Sequence, residues 1–157
     1  ALKPIAVPYA DTWGAMEELQ RAGLVKQIGV CNLNVSMLRE VLNTASIRPA
    51  VHQFEAHPYL TQERQVRFCQ SEGIAVTAFS PLGAPSYLPL GMARPEESVL
   101  VDPVVTGLAA ALGRTPAQVV LRWGVQRGCA VIPKAQDFNH LRENAQVFDF
   151  SLSAGQM

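Results

Sequence analysis

PAVHQF, residues 49–54, is a short proline-led run of strand-forming residues, and what flanks it decides the fold. Twenty-four residues before His52 stands Ile28 in KQIGV (26–30), and 24 after it stands Val76 in IAVTAF (74–79). No residue identity recurs at that period, so the repeat is architectural: strand, loop, helix, loop. Between the first two strands, Ser36 is the expected cap of a helix, Glu40 supports its first turn, and Met37, Leu38, Val41 and Leu42 face inward. Between the second and third, Thr61 opens a helix carrying Val66, Phe68 and Cys69, and Gly73 closes it. Strands alternating with helices of this size are βα units, which build a parallel sheet.

Upstream, residues 1–10 hold two prolines and no amphipathic period, so they read as a loop. Asp11 or Thr12 then caps a helix that stops at Gly23, with Trp13, Met16, Leu19 and Leu24 as its apolar stripe. Downstream the rhythm breaks: residues 84–101 contain three prolines and form a long loop of the kind that usually has a function. Asp102-Pro103 starts a helix ending at Gly113, and Thr115-Pro116 starts another that buries Val119, Val120, Leu121 and Trp123. Ala130-Val131-Ile132 reads as a fourth, buried strand stopped by Pro133. Lys134 emerges at its carboxyl end, followed by a helix with Phe138, Leu141 and Ala145 on one face and His140 and Asn144 on the other. Ligands of parallel α/β folds sit beyond the strand C-termini, so Lys134 suits a phosphate there; the competing reading is a solvated loop lysine.

Composition narrows the class. At 157 residues the chain is one domain, 48 % hydrophobic and 17 % charged, as expected of a globular α/β protein. Thirteen basic residues balance 13 acidic ones, so no global field favours nucleic acid or an anionic membrane, and neither is expected as a partner. Cys31, Cys69 and Cys129 lack metal-ligand spacing and read as free thiols of a reducing compartment. No apolar run reaches the roughly 18 residues of a membrane span and no signal pattern opens the chain, which points to the cytoplasm. Four βα units make either a small doubly wound sheet or half of an eight-stranded barrel. The lack of G-x-G-x-x-G after any strand argues against a Rossmann unit.

Five motifs, in order, resolve that choice by resemblance: GLVKQIGVCNLN (23–34), VHQFEAHPYL (51–60), AFSPLG (78–83), TPAQVVLRWGVQRG (115–128) and VIPKA (131–135). Together they resemble the aldo-keto reductases, (β/α)₈ TIM barrels that reduce aldehydes and ketones with a nicotinamide dinucleotide. The resemblance implies that residues 1–157 are about half of such a barrel, its strands five to eight. It also implies that the family's catalytic tyrosine, lysine, aspartate and histidine belong to earlier strands, so no catalytic residue is expected in this chain and the chain alone is expected to be inactive. His57 in the His57-Pro58-Tyr59 motif reads as structural, and neither Tyr59 nor Tyr87 has a lysine at motif spacing.

What the resemblance does imply here is the cofactor site, for NADPH with NADH as the alternative. Cys31, in place of the usual serine, Asn32 and Gln53 would hold the nicotinamide carboxamide, since amide side chains answer an amide in both directions. For Cys31 the competing reading is a small buried hydrophobe. Phe79 would stack on the nicotinamide ring in place of a tyrosine; without the resemblance it reads as core. Ser80, Leu82 and Gly83 would wrap the pyrophosphate, with Ala84 losing one hydroxyl. Lys134 would face the phosphate on the adenosine ribose, with Ala135 and Gln136 beside it, and His140 stands where an arginine usually grips that phosphate. Glu143 and Asn144 would contact adenine. The loop with Pro85-Ser86-Tyr87 resembles a cofactor-covering loop.

A small carbonyl compound, an aldose or an aromatic aldehyde, is the expected substrate of the full barrel. Half a barrel exposes sheet edges, so self-association is expected. Two rivals stand beside this reading. One is a family member that binds the dinucleotide without catalysis. The other is a phosphosugar isomerase or lyase barrel, which accounts for Lys134 but leaves Asn32, Gln53, Glu143 and Asn144 without a role.

Overall fold

A computed structural model describes residues 6–83, 85 and 87–157. Residues 1–5 of the expected N-terminal loop, the Ala84 departure and Ser86 lie outside the described residues. Four strands, β1 (Gly29–Cys31), β2 (Val51–Glu55), β3 (Ala75–Phe79) and β4 (Cys129–Val131), form one sheet in sequence order, every neighbouring pair parallel. Helices α1 (Tyr9–Arg21), α2 (Val35–Thr44), α3 (Glu63–Ser71), α4 (Pro103–Leu112), α5 (Pro116–Gln126) and α6 (Phe138–Ala145) complete the fold. The 24-residue period survives as register between β2 and β3, where His52 pairs with Val76, but not between β1 and β2, where His52 pairs with Val30, 22 residues back, and Ile28 precedes the strand. The loop after β3 is not featureless; it makes short 3₁₀ turns at Leu88–Leu90, Pro95–Glu97 and Val99–Val101.

Period two along each strand sorts the side chains into two unlike faces. On one, Val30, His52, Phe54, Val76, Ala78 and Cys129 are buried against Trp13 of α1, Leu38 and Val41 of α2, and Val66 and Cys69 of α3. A second cluster joins α4 and α5 through Val105, Ala109, Val119 and Val120, with Leu152 from the C-terminal segment. The other face carries the row Cys31, Gln53, Thr77 and Ala130, then Glu55 and Phe79, and it is half-buried to exposed. This open face corrects the expectation of a buried fourth strand: Ala130 and Ile132 are exposed and Val131 half-buried, because helices cover β4 on one side only.

Helix starts also differ from expectation, each for a local reason. Helix α1 begins at Tyr9 after Pro8 with no side-chain cap, and Asp11 sits in its first turn, where the positive end of the helix dipole favours a carboxylate. Asn34, not Ser36, caps α2, its Oδ1 accepting the Met37 N–H at 2.9 Å. Helix α3 starts at Glu63 after Gln62, not at Thr61. The Asp102 and Thr115 caps are as expected, the latter as a reciprocal box with Gln118. Leu19, Leu24 and Met37 are exposed rather than inward. Helix α6 is likewise not amphipathic in effect: Phe138 and Leu141 face solvent. Polar bonds hold it instead, with Asp137 capping its start and Gln118 Nε2 donating to the carbonyls of Glu143 (3.2 Å) and Gln146 (3.0 Å).

Glu17 shows how the first helix is locked on. Its buried carboxylate accepts the backbone N–H groups of Ser46 (2.8 Å) and Ile47 (2.9 Å) and pairs with Arg21 at 2.7 Å. The Ile47 N–H bond, foremost, holds this carboxyl below its ordinary pKa despite desolvation. Trp13 Nε1 donates to the Ile47 carbonyl at 3.1 Å from the same helix. Among the described residues no single helix is long and apolar enough to cross a membrane.

Candidate cofactor-binding site

All four strands point their carboxyl ends the same way, and two grooves open there. The first, about 360 Å³, lies over the ends of β1, β2 and β3 and is lined by Asn32, Phe54, Glu55, Gln62 and Phe79 among others. The second, about 320 Å³, lies between the ends of β3 and β4 and gathers Ser80, Leu82, Pro85, Ile132 and Lys134. Sequence-predicted residues therefore fall into two groups: Asn32 and Phe79 in one groove, Ser80, Leu82 and Lys134 in the other. Gln53 does not line the first groove. It pairs with Cys31 one residue back from the rim, on the same open sheet face. Cys31 is exposed, which removes its reading as a small buried hydrophobe. Phe79 is half-buried, free to offer a ring face.

The strand ends are shaped by unusual backbone. Asn32 has φ 56° and Ser80 φ 43°, left-handed values that few residues besides glycine adopt readily. Asn32 N–H donates to the Gln53 carbonyl (3.0 Å), and Gly83 N–H donates to the Ser80 carbonyl (2.8 Å), so each turn is closed by a hydrogen bond. Gly83 itself has φ 66° and lies against His57; a Cβ there would stand 3.4 Å from the imidazole Nδ1. His57 Nε2 donates to Glu55 Oε1 at 3.2 Å and its backbone pairs with Leu60. This is the structural role expected of it.

Two contributors escaped the sequence reading. Glu55 lies two residues past Gln53 and so shares its face, a period-two inference open from the start. The neighbouring Glu55 carboxylate, foremost, raises the pKa of the Tyr87 phenol, which places this residue of the long loop beside the end of β2. Tyr59 is used elsewhere: its hydroxyl donates to Asp102 Oδ2 at 2.6 Å, which raises its pKa and links the β2–α3 loop to the start of α4.

Along α6 the adenosine-end candidates are spread over the surface. His140 is exposed and its N–H is capped by Asp137 Oδ1 (3.3 Å), whereas Glu143 and Asn144 are half-buried. Lys134 and Gln136 are exposed and Ala135 half-buried on the segment joining β4 to this helix. Nucleotide-sized ligands spanning from the first groove through the second toward α6 would meet an amide, a ring, a hydroxyl-bearing turn and then a cation. Among the described residues no cluster of His, Cys, Asp and Glu could hold a metal ion.

Against known proteins, residues 3–157 match the aldo/keto reductase family throughout. The chain belongs to that family. It is 45 % identical over 150 residues to aldo-keto reductase family 1 member A1 of Cricetulus griseus, covering 95 % of this chain and 45 % of that protein. It is 47 % identical over 149 residues to the probable NAD(P)H-dependent D-xylose reductase xyl1 of Emericella nidulans, covering 94 % and 47 %. The aldose reductase structure from Schistosoma japonicum superposes with a TM-score of 0.86 at 39 % identity, over 97 % of this chain and 46 % of that one. This aldo-keto reductase chain thus spans about half the length of the relatives it matches, and its fold is a partial (β/α)₈ barrel.

Proposed function

We propose that the chain supplies the dinucleotide-binding part of a nicotinamide-dependent carbonyl reductase acting on aldehydes or ketones in the cytoplasm. The observation that carries the reading is the alignment of the two grooves along the strand C-termini, with Asn32 and Phe79 in one and Ser80, Leu82 and Lys134 in the next. Asn32 and Gln53 answer the carboxamide, Phe79 gives the nicotinamide ring a face, and the Ser80–Gly83 turn offers hydroxyl and N–H groups to the pyrophosphate. Lys134 meets the phosphate of NADPH, and Glu143 and Asn144 meet adenine. A bound nicotinamide would supply the hydride. The side chains of this chain bind and orient the dinucleotide, and the substrate is a small carbonyl compound.

The reading divides into binding and turnover. Titration of the 157-residue chain with NADPH should show saturable binding that Lys134→Ala weakens more for NADPH than for NADH. No reduction of glyceraldehyde is expected, because general acid catalysis needs a proton donor at the carbonyl oxygen. Tyr59 is committed to Asp102, its hydroxyl donating to the carboxylate. Binding that is indifferent to Lys134→Ala and Asn32→Ala would overturn the site assignment; turnover by this chain would overturn its assignment as the binding part alone.

A further inference from the structure

The turn between β1 and α2 is held by hydrogen bonds from behind the sheet. Asn32 N–H donates to the Gln53 carbonyl (3.0 Å), Leu33 N–H donates to His52 Nε2 (3.2 Å), and Gln65 Nε2 donates to the Leu33 carbonyl. His52 is fully buried, at 0 % exposure. Its ring is fixed on its remaining sides by Cys69 Sγ of α3, 3.4 Å from Nδ1, and by the edge of Phe54, with ring centroids 4.8 Å apart. Since Nε2 accepts from Leu33, the ring proton sits on Nδ1 and points at the sulfur.

An imidazole is an expensive choice for this place. Its register neighbours on the same face are Val30 and Val76, and an aliphatic side chain would fill the position without desolvating a polar ring. What the imidazole provides that an aliphatic cannot is an acceptor for Leu33 N–H. That amide follows Asn32, the residue at φ 56° on the rim of the first groove.

We propose that His52 is a positioning residue for the nicotinamide end of the cofactor, holding Leu33 N–H and through it keeping Asn32 in the left-handed turn that places it on the groove. The proposal rests on the dinucleotide reading above and adds to it a residue on the opposite sheet face from Gln53. It makes no contact with the cofactor itself.

The test uses the 157-residue chain with two probes, NADPH and the adenosine bisphosphate half of it, which lacks the nicotinamide. His52→Leu should weaken NADPH about fivefold, the worth of one neutral hydrogen bond, and leave the adenosine half unchanged. His52→Gln, whose Oε1 can take the place of Nε2, should restore NADPH binding. If His52→Leu does not fold, His52→Val, which matches the register neighbours Val30 and Val76 and offers Leu33 N–H no acceptor, should show the same selective loss. Equal weakening of both probes, or no weakening of either, overturns the proposal. Independently of any ligand, a scalar coupling across the hydrogen bond between the Leu33 amide nitrogen and His52 Nε2 is expected in the wild type. A chain that binds neither probe defeats the dinucleotide reading, and the coupling then decides: its absence overturns the positioning role.

Discussion

His52 makes stability depend on pH in a window that the carboxylates leave clear. Burial holds its imidazole at a pKa of about 4, against an ordinary value of 6.5 in the unfolded chain. The unfolded state therefore takes up a proton near pH 6.5 while the folded state refuses it until about pH 4. Folding stability is fully present above the unfolded value, falls as pH drops from 6.5 towards 4, and then levels off. A 2.5-unit difference is worth at most roughly 3 kcal/mol, of which about 2 kcal/mol is lost by pH 5. The carboxyl groups held below their ordinary values, Glu17, Glu63, Glu97 and Asp102, add their own losses only at lower pH, as their protons bind. Urea titrations at pH 7.5, 6 and 5 measure this directly. With a slope of about 2 kcal/mol per molar urea, the wild-type midpoint should fall by about 1 M between the first and last pH. His52→Gln cannot take up that proton and should lose far less. If both proteins lose the same stability over this range, the acid sensitivity belongs elsewhere and His52 is not held neutral by burial.

Three further outcomes are expected. Gly29→Ala should be destabilising by roughly 2–3 kcal/mol, because a Cβ at Gly29 would stand 2.7 Å from the Val51 carbonyl oxygen, a backbone atom that cannot turn aside. Gly14→Ala in α1, where nothing lies within 4 Å, should instead stabilise by up to about 1 kcal/mol, and thermal melts of the pair separate crowding from helix propensity. The outer edges of β1 and β4 have no strand partner among the described residues, so the chain should self-associate on concentration, and Ile132→Lys on the exposed end of β4 should reduce it in sedimentation velocity runs. Replacing the exposed imidazole at His140 by a permanent planar cation, His140→Arg, should raise the preference for NADPH over NADH about fivefold; an unchanged ratio of dissociation constants would remove His140 from the phosphate.

Sequence was a good guide where local chemistry and sheet period agree. The 24-residue rhythm returned in the His52–Val76 register, with Val30 in place of Ile28 on the other side, and the proline-led caps at Asp102 and Thr115 formed as read. It misled wherever burial depends on what lies opposite. Ala130-Val131-Ile132 is an apolar run with helix cover on one side, so apolar composition did not translate into burial. Phe138 and Leu141 look like an inner face, yet α6 is held by Gln118 and Asp137, polar partners that no hydrophobic period announces. Caps failed where two candidates competed within two residues: Asn34 precedes Ser36 and took the Met37 N–H first. Site residues known through resemblance were legible as identities, but Glu55 and its closeness to Tyr87 emerged only once strands and loop were folded together.

Backbone strain and the candidate site coincide. Among the described residues, the non-glycine positions with positive φ are Asn32, Gln62 and Ser80, and each of them lines one of the two grooves. Left-handed backbone costs an ordinary residue roughly 1–2 kcal/mol, and glycine would relieve it. The chain does use glycine freely where a left-handed turn merely ends a helix, as at Gly73 and Gly113, or turns a loop, as at Gly83. Retaining a side chain at Asn32 and Ser80 is therefore informative: an amide and a hydroxyl are kept at the ends of β1 and β3 despite the cost of holding them there. The rigid part of the molecule supports that strain. The helices and the buried sheet face fix β1, β2 and β3, and hydrogen bonds from Gln53, His52 and Gln65 close the Asn32–Leu33 turn. Strain held by a packed scaffold at a groove is what preorganised binding requires, because polar groups already in place need not be ordered when the ligand arrives.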